Sequence, residues 1–251
     1  MSGGDLWGPS ETGDRRVAPV LTVALTLEPG GWPEAEARRA EIDAHFAARQ
    51  ATNPHLWNGD ILLLRDRRFA AGHLEGRVRR TDFAAFLWWR DQGWPLDFGM
   101  VNVFALAALE GADGAFLMGV MGAHTSSAGG IYFPGGTPDL SDLAADGRLD
   151  LEASAWRELH EETGLTRADV ARDAGFTAVF DGPRLALLRR LVLPEPAEAA
   201  ARRIRAFLRR DDLPELADIA VIHSEKDITP QMAPFAVAYM RHLWGARRPM
   251  P

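Results

Sequence analysis

Cysteine is absent from the 251 residues. Disulfides, thiolate nucleophiles and cysteine-held metals are therefore excluded, and any metal must be bound through oxygen or imidazole. Lysine is almost absent too. Lys226 stands alone, and the remaining basic side chains are arginine, a compositional habit that also suits phosphate recognition. Long apolar runs are lacking. VAPVLTVALTL at 17–27 is too short to cross a bilayer as a helix, and MSGGDLWGPSETGDRR at the start has no apolar segment of a secretion signal. A membrane partner is not expected, and the cytoplasm is the expected location. Excess basic charge is missing as well. A net charge of -7 argues against nucleic acid as a partner, because such proteins carry a basic footprint. Several catalytic signatures do not occur. There is no GxSxG elbow, no GxxxxGK[ST] phosphate loop and no HExxH pair, and AGGIYFPGG at 128–136 lacks GxGxxG spacing.

What is present is enough apolar sequence, 47% of residues, for one large domain or two modest ones. Residues 1–16 read as a disordered tail. A β-branched, apolar strand is expected over 17–28, then a helix opened by Pro33 and running to Gln50. NPHLWNG at 53–59 makes a turn. DILLLRDRRF and LEGRVRRTDF read as paired strands around AAGH, followed by a helix through AAFLWWRDQ. GWPLDFG at 93–99 is the expected boundary between an N-terminal α/β extension, 17–95, and a second domain, 96–251. Beyond it, VNVFALAALE and AFLMGVMG are near-continuous apolar strands, and GIYFPGG ends a third in a glycine loop. A polar loop, TPDLSDLAADGRLD, leads to a helix with Asp150 as its N-cap and Gly164 as its stop. FTAVF, RLALLRRLVLP and DIAVIHS read as strands, EPAEAAARRIRAFLRR and MAPFAVAYMRHLW as helices. No internal repeat is visible.

WRELHEETGL, residues 156–165, violates local electrostatics. Glu158, Glu161 and Glu162 are neighbours at i, i+3 and i+4, where like charges repel. The last two also fall in the helix's final turn, where the dipole prefers cations. Leu151, Ala155 and Leu159 form the core-facing stripe, and Glu158 and Glu162 lie within about 20° of the Leu151 meridian at about 100° per residue. Those two carboxylates thus belong to the buried side, while His160 points away. Buried, mutually repelling carboxylates must be protonated or share a cation. A hard divalent ion such as Mg2+ takes oxygen ligands and leaves room for phosphate oxygens and a polarised water.

With Pro134-Gly135-Gly136 ahead of it, Arg157-Glu158-Leu159-His160-Glu161-Glu162-Thr163-Gly164-Leu165 resembles the second half of the Nudix box, RE-U-x-EE-x-G-U. The specific part of the likeness is the loop and helix at 134–165. The resemblance implies an α/β/α sandwich with a mixed sheet, here preceded by a smaller α+β extension. It further implies hydrolysis of a nucleoside diphosphate linked to another group. By motif position, Glu158, Glu161 and Glu162 would be metal ligands with the Gly136 carbonyl close by, and Arg157 would orient one of them. Mg2+ is the implied cofactor, with Mn2+ as a substitute. The box runs G, five residues, E, seven residues, then Arg, which counted back from Arg157 places a glutamate at 149, where this chain has Leu149. Asp150 and Glu152 are the acids nearby. The general base is left open among Glu161, Glu162, Asp181, Glu195, Glu198 and Glu225.

Gly135 and Gly136 are expected at the substrate. Arg79 and Arg80, with Arg77, could meet its phosphates, the alternative being a solvated strand edge. His124, beside Thr125, Ser126 and Ser127, reads as a loop cap, and Trp57, Trp88 and Trp89 as core or as platforms for a base or sugar. Neither the extended motif of coenzyme A diphosphatases nor the SQPWPFPxS stretch of NADH diphosphatases is found. Asn53 to Gly59 ahead of a strand pair, and Thr81-Asp82-Phe83 at a helix start, look like the extension of nucleotide-sugar Nudix hydrolases. A nucleotide sugar such as UDP-glucose is therefore the expected substrate. ADP-ribose is the alternative, and a non-catalytic nucleotide-sugar-binding module the rival reading. Dimers are common in the family, which makes a homodimer an expectation.

Overall fold

A computed structural model describes residues 15–95 and 98–247, so most of the tail expected over 1–16 lies outside the described residues. The larger sheet is built from β1 (Arg16–Val20), β5 (Asn102–Glu110), β6 (Phe116–Met121), β7 (Ile131–Tyr132), β8 (Gly135–Gly136), β9 (Arg172–Asp181), β10 (Arg184–Val192) and β11 (Leu216–Ile222). Its order is β1-β9-β10-β5-β6-β11; β5 and β10 run parallel, and β1-β9, β9-β10 and β6-β11 are antiparallel. β5 is buried at every position, as a strand covered on both faces must be. Phe104, Leu106 and Ala108 face α6 (Pro234–Arg247), whereas Ala107 and Leu109 face α4 (Leu151–Thr163) and α5 (Ala197–Leu208). The result is the expected three-layer α/β/α sandwich.

β5 and β6 pair only at Leu109–Leu117 and Glu110–Phe116 and then part. The gap is filled by β8 on β5 and β7 on β6. This opening brings the Gly135–Gly136 turn into the middle of the sheet beneath α4.

A second, three-stranded sheet has the order β2-β4-β3, formed by β2 (Thr22–Leu27), β3 (Asp60–Ala70) and β4 (His73–Asp82). Its apolar face packs with α1 (Pro33–Glu36), α2 (Arg39–Thr52) and α3 (Phe83–Asp91) around Trp32, Ile42, Leu63 and Trp89. Two expectations change here. The single strand over 17–28 is two strands in different sheets, because the chain turns at Leu21 and β1 pairs with β9 while β2 pairs with β4. The helix over 33–50 is α1 and α2, separated at Ala37–Arg38. Strand pair 60–69/74–83 and the following helix form as expected, with Asp82 accepting from the Ala85 amide as N-cap. The small sheet is joined to the sandwich by a Leu64–Val101 bridge and by the loop at 143–149. That loop folds into a hairpin, with Ala144 N donating to Arg148 O, and adds to β2 through Leu27 N to Gly147 O and Leu149 N to Leu25 O. No helix among the described residues is long and apolar enough to cross a membrane.

Candidate active site

α4 begins and ends where its sequence says it should. Asp150 accepts from Ala153 N at 2.9 Å, and Gly164 closes the helix at φ +71. Between them Leu151, Ala155 and Leu159 are buried against the sheet, and His160 is exposed. Glu162 is buried, its Oε1 accepting the Gly135 amide at 3.0 Å. Gly135 has φ +141, and a Cβ on it would overlap the Ala105 carbonyl, so only glycine lets the turn lie flat on β5. Glu158 faces Gly136, with Oε1 3.5 Å from where a Cβ would stand. Glu161 is 56% exposed and reaches back to Arg157.

Arg157 is held by Asp142. Its Nη2 donates to Asp142 Oδ1 at 2.9 Å, and its Nη1 lies 3.0 Å from both Glu158 Oε1 and Glu161 Oε2. Asp142 is buried, and its second oxygen accepts the Asp139 amide. Counted forward from Gly136, Asp142 follows five residues, the spacing at which the resembled box has its first acid, with aspartate here in place of glutamate. Asp142, rather than a residue at 149, is the acid that Arg157 contacts. Residues 143–156 separate Asp142 from Arg157, seven more than the pattern, and the hairpin at 143–149 accommodates them at the edge of β2. Leu149 is a core residue. Counting from the glycine rather than from the arginine would have found the acid.

The electrostatics follow from this packing. Burial pushes the Glu158 carboxyl up to about 7 despite Arg157, with Glu215, Glu161 and Asp142 adding to the rise. Glu162 is raised well above the carboxylate range by burial and by Glu215 and Glu158, the Gly135 amide opposing. Glu215, just before β11, is raised by partial desolvation, with His124 opposing. Sequence reasoning missed Glu215. It shares a short loop with Asp211 and Asp212 and carries no motif, and only the fold brings it to Glu158 and Glu162. Arg157 is shifted the other way. Burial alone would lower it, but the bond to Asp142 and the charges of Glu158, Asp142 and Glu161 hold it above the ordinary guanidinium range.

Among the described residues no three His, Asp or Glu side chains stand as a ready metal cage, because Glu158 and Glu161 are turned to Arg157. The donor set nevertheless fits a hard cation. Glu162 Oε2 is buried without a hydrogen-bond partner, and crowded carboxylates are what a divalent ion relieves.

Beside these acids lies a cavity of about 260 Å3. Gly135, Gly136, Tyr132 and Glu215 form one side of it. Burial, with Glu162 and Glu215 near, raises the Tyr132 phenol and keeps it a neutral donor. The N-terminal segment contributes Ile61, Phe83, Phe86, Arg90 and Trp94 to the cavity's lining. The loop at 122–127 is gripped from that segment, since Asn53 Nδ2 donates to His124 O at 2.7 Å and Arg90 Nη2 to Ser126 O at 3.2 Å. Thr125 caps the loop on Gly122 O, and the His124 ring lies edge-on to His55.

Other expected residues are elsewhere. Arg79 pairs with Glu28 and Arg80 with Asp60 in the small sheet, and Arg77 also reaches Glu28, so none of them lines the cavity. The cavity's arginines are Arg90 and Arg184. Asp181 is buried against Arg184 and Arg15, Glu195 pairs with Arg203, Glu225 pairs with Arg241, and Glu198 lies in the first turn of α5. None of these four acids lines the cavity. Trp88 and Trp89 are core, and Trp57 is 79% exposed.

No family model matches the sequence, and no curated protein matches it. Solved structures do. A Nudix hydrolase from M. Smegmatis, RenU, is 17% identical over 59% of this chain and 87% of its own, with a TM-score of 0.37. The MutT protein from Methanosarcina mazei Go1 is 17% identical over 59% of this chain and 96% of its own, also at 0.37. A bifunctional NMN adenylyltransferase/ADP ribose pyrophosphatase from Francisella tularensis, complexed with AMP and Mn ion, is 19% identical over 58% of this chain and 42% of its own, at 0.41. The chain is similar to Nudix hydrolase structures.

Proposed function

We propose that this chain is a divalent-metal-dependent hydrolase of the Nudix type that cleaves the diphosphate bond of a nucleoside diphosphate derivative. The observation that carries the reading is the Asp142–Arg157–Glu158 chain beside the orphaned Glu162 carboxylate, packed on the Gly135–Gly136 turn that lines the cavity. It supplies the box's missing acid. Glu158 and Glu162, with Glu161 and the Gly136 carbonyl, would hold the ion. A bound Mg2+ or Mn2+ supplies Lewis-acid polarisation of a phosphoryl oxygen and of water. Arg157 orients Glu158. The Gly135–Gly136 turn lets the substrate's phosphates approach the backbone closely, and Glu215 at the cavity wall can take the proton from the attacking water. The products would be a nucleoside monophosphate and the phosphorylated second group.

A nucleotide sugar such as UDP-glucose is the substrate proposed first, supported by Asn53, which anchors the loop at 122–127, and by the segment of α3 that walls the cavity. ADP-ribose is second. Purified protein incubated with a panel of nucleoside diphosphate derivatives, with Mg2+ or with chelator, tests both levels. Turnover of UDP-glucose that needs Mg2+ and drops at least about 100-fold in Glu162→Gln is expected. Cleavage of ADP-ribose alone removes only the substrate assignment. No turnover of any compound, with nucleotide-sugar binding unchanged in Glu162→Gln, leaves the binding-module reading.

A further inference from the structure

The cavity is lined by one carboxyl group, Glu215, and by two guanidinium groups, Arg90 and Arg184. Glu215 lies near Glu158 and Glu162, and none of the three offers an entering anion any attraction. Attraction can come from Arg90 and Arg184. Arg184 is committed to Asp181 at 2.7 Å. Arg90 is placed differently. It lies in the last turn of α3, its side chain is 15% exposed, and its Nη1 and Nη2 donate to the neutral Ser126 Oγ and Ser126 O at 3.4 and 3.2 Å. Those are long bonds to uncharged acceptors. Its carboxylate neighbour is Asp91, 3.3 Å from Nε, and Asp91 also serves His45 at 3.1 Å and Arg49 at 3.3 Å. One carboxylate thus answers three basic side chains, and Arg90 is the one of the three that lines the cavity. A phosphate oxygen would give Arg90 the charge-assisted, forked bond that its present partners do not.

We propose that Arg90 binds an anionic phosphate group of the substrate, so that the N-terminal segment takes part in substrate binding rather than only covering the site. The proposal rests on the diphosphate-substrate reading for its meaning, but its test needs neither metal nor turnover. Inorganic pyrophosphate is titrated into the metal-free protein in chelator and followed by calorimetry at low and high salt. Binding by the wild type that weakens with salt, and weakens about tenfold or more in Arg90→Gln, is expected. Arg184→Gln, which breaks a buried pair outside the proposed contact, should bind within a few-fold of wild type. Thermal unfolding checks that each variant folds. Should Arg90→Gln fail to fold, Arg90→Lys decides: it keeps the charge but loses the fork, so affinity falls several-fold while the salt dependence remains. Unchanged affinity in both Arg90 variants, no binding by the wild type, or loss confined to Arg184→Gln overturns the proposal. Arg90-dependent pyrophosphate binding without hydrolysis of any substrate would remove the hydrolase reading and leave this one standing.

Discussion

At the scale of single residues, Asp142 is the most informative side chain. It is buried, it fixes Arg157, and Arg157 in turn touches both Glu158 and Glu161. Breaking a fully buried ion pair costs about 3–5 kcal/mol. The guanidinium here is 35% exposed, and solvent screening reduces the figure to about 1–2 kcal/mol. Asp142→Asn is therefore expected to lower unfolding free energy by about that amount in urea titrations. Turnover should fall about tenfold or more, because Glu158 loses its fixed partner. Loss of stability with undiminished turnover would show that Arg157 does not position the carboxylate.

Among the elements, α4 carries the site and its C-terminal stop is under close constraint. Gly164 sits at φ +71, and a Cβ would overlap the Phe207 ring of α5. The left-handed conformation alone costs a non-glycine residue about 1–2 kcal/mol. Displacing Phe207, which packs against the cluster shared by α4 and α5, adds to that. Gly164→Ala should destabilise the protein by about 2–3 kcal/mol in denaturant titration. A variant as stable as the wild type would mean that α4 can end elsewhere. The turn of β8 is the other fixed element. It supplies the Gly135 amide to Glu162, and the splaying of β5 from β6 makes room for it.

Across the whole molecule, the crowded acids set the pH dependence. Glu158, Glu162 and Glu215 all have raised carboxyls in the metal-free fold. A raised carboxyl means the native state holds protons that the unfolded chain has lost, so stability falls as pH rises from about 4.5 through 7. Asp169 and Asp218 are lowered, by the Thr166 amide and by Arg205 with the Ile219 amide against partial burial, and their contribution disappears below that window. Metal-free protein should thus melt at a higher temperature near pH 5.5 than near pH 8. Mg2+ or Mn2+ should raise the midpoint more at pH 8, where the ligands are ionised. An equal metal effect at both pH values would argue against these carboxylates as ligands.

Much of this was legible in the chain. The 3.6-residue period from Leu151 to Leu159 put Glu158 and Glu162 on the buried side and His160 outside, because a helix fixes which side chains share a face. Apolar runs at 102–110 and 116–121 marked buried strands, and Asp150 and Gly164 marked the ends of α4. What the sequence by itself determined was therefore local: periodicity, caps, turns and the RExxEExG spacing. Tertiary structure alone decided the rest. It paired Arg157 with Asp142 across a hairpin that adds to β2, brought Glu215 to the acids of α4, sent β1 to a different sheet from β2, and set Arg90 rather than Arg79 or Arg80 at the cavity. The reason is physical. Spacing along the chain governs contacts only within one helix or strand, whereas partners from separate elements meet through the way buried faces pack together.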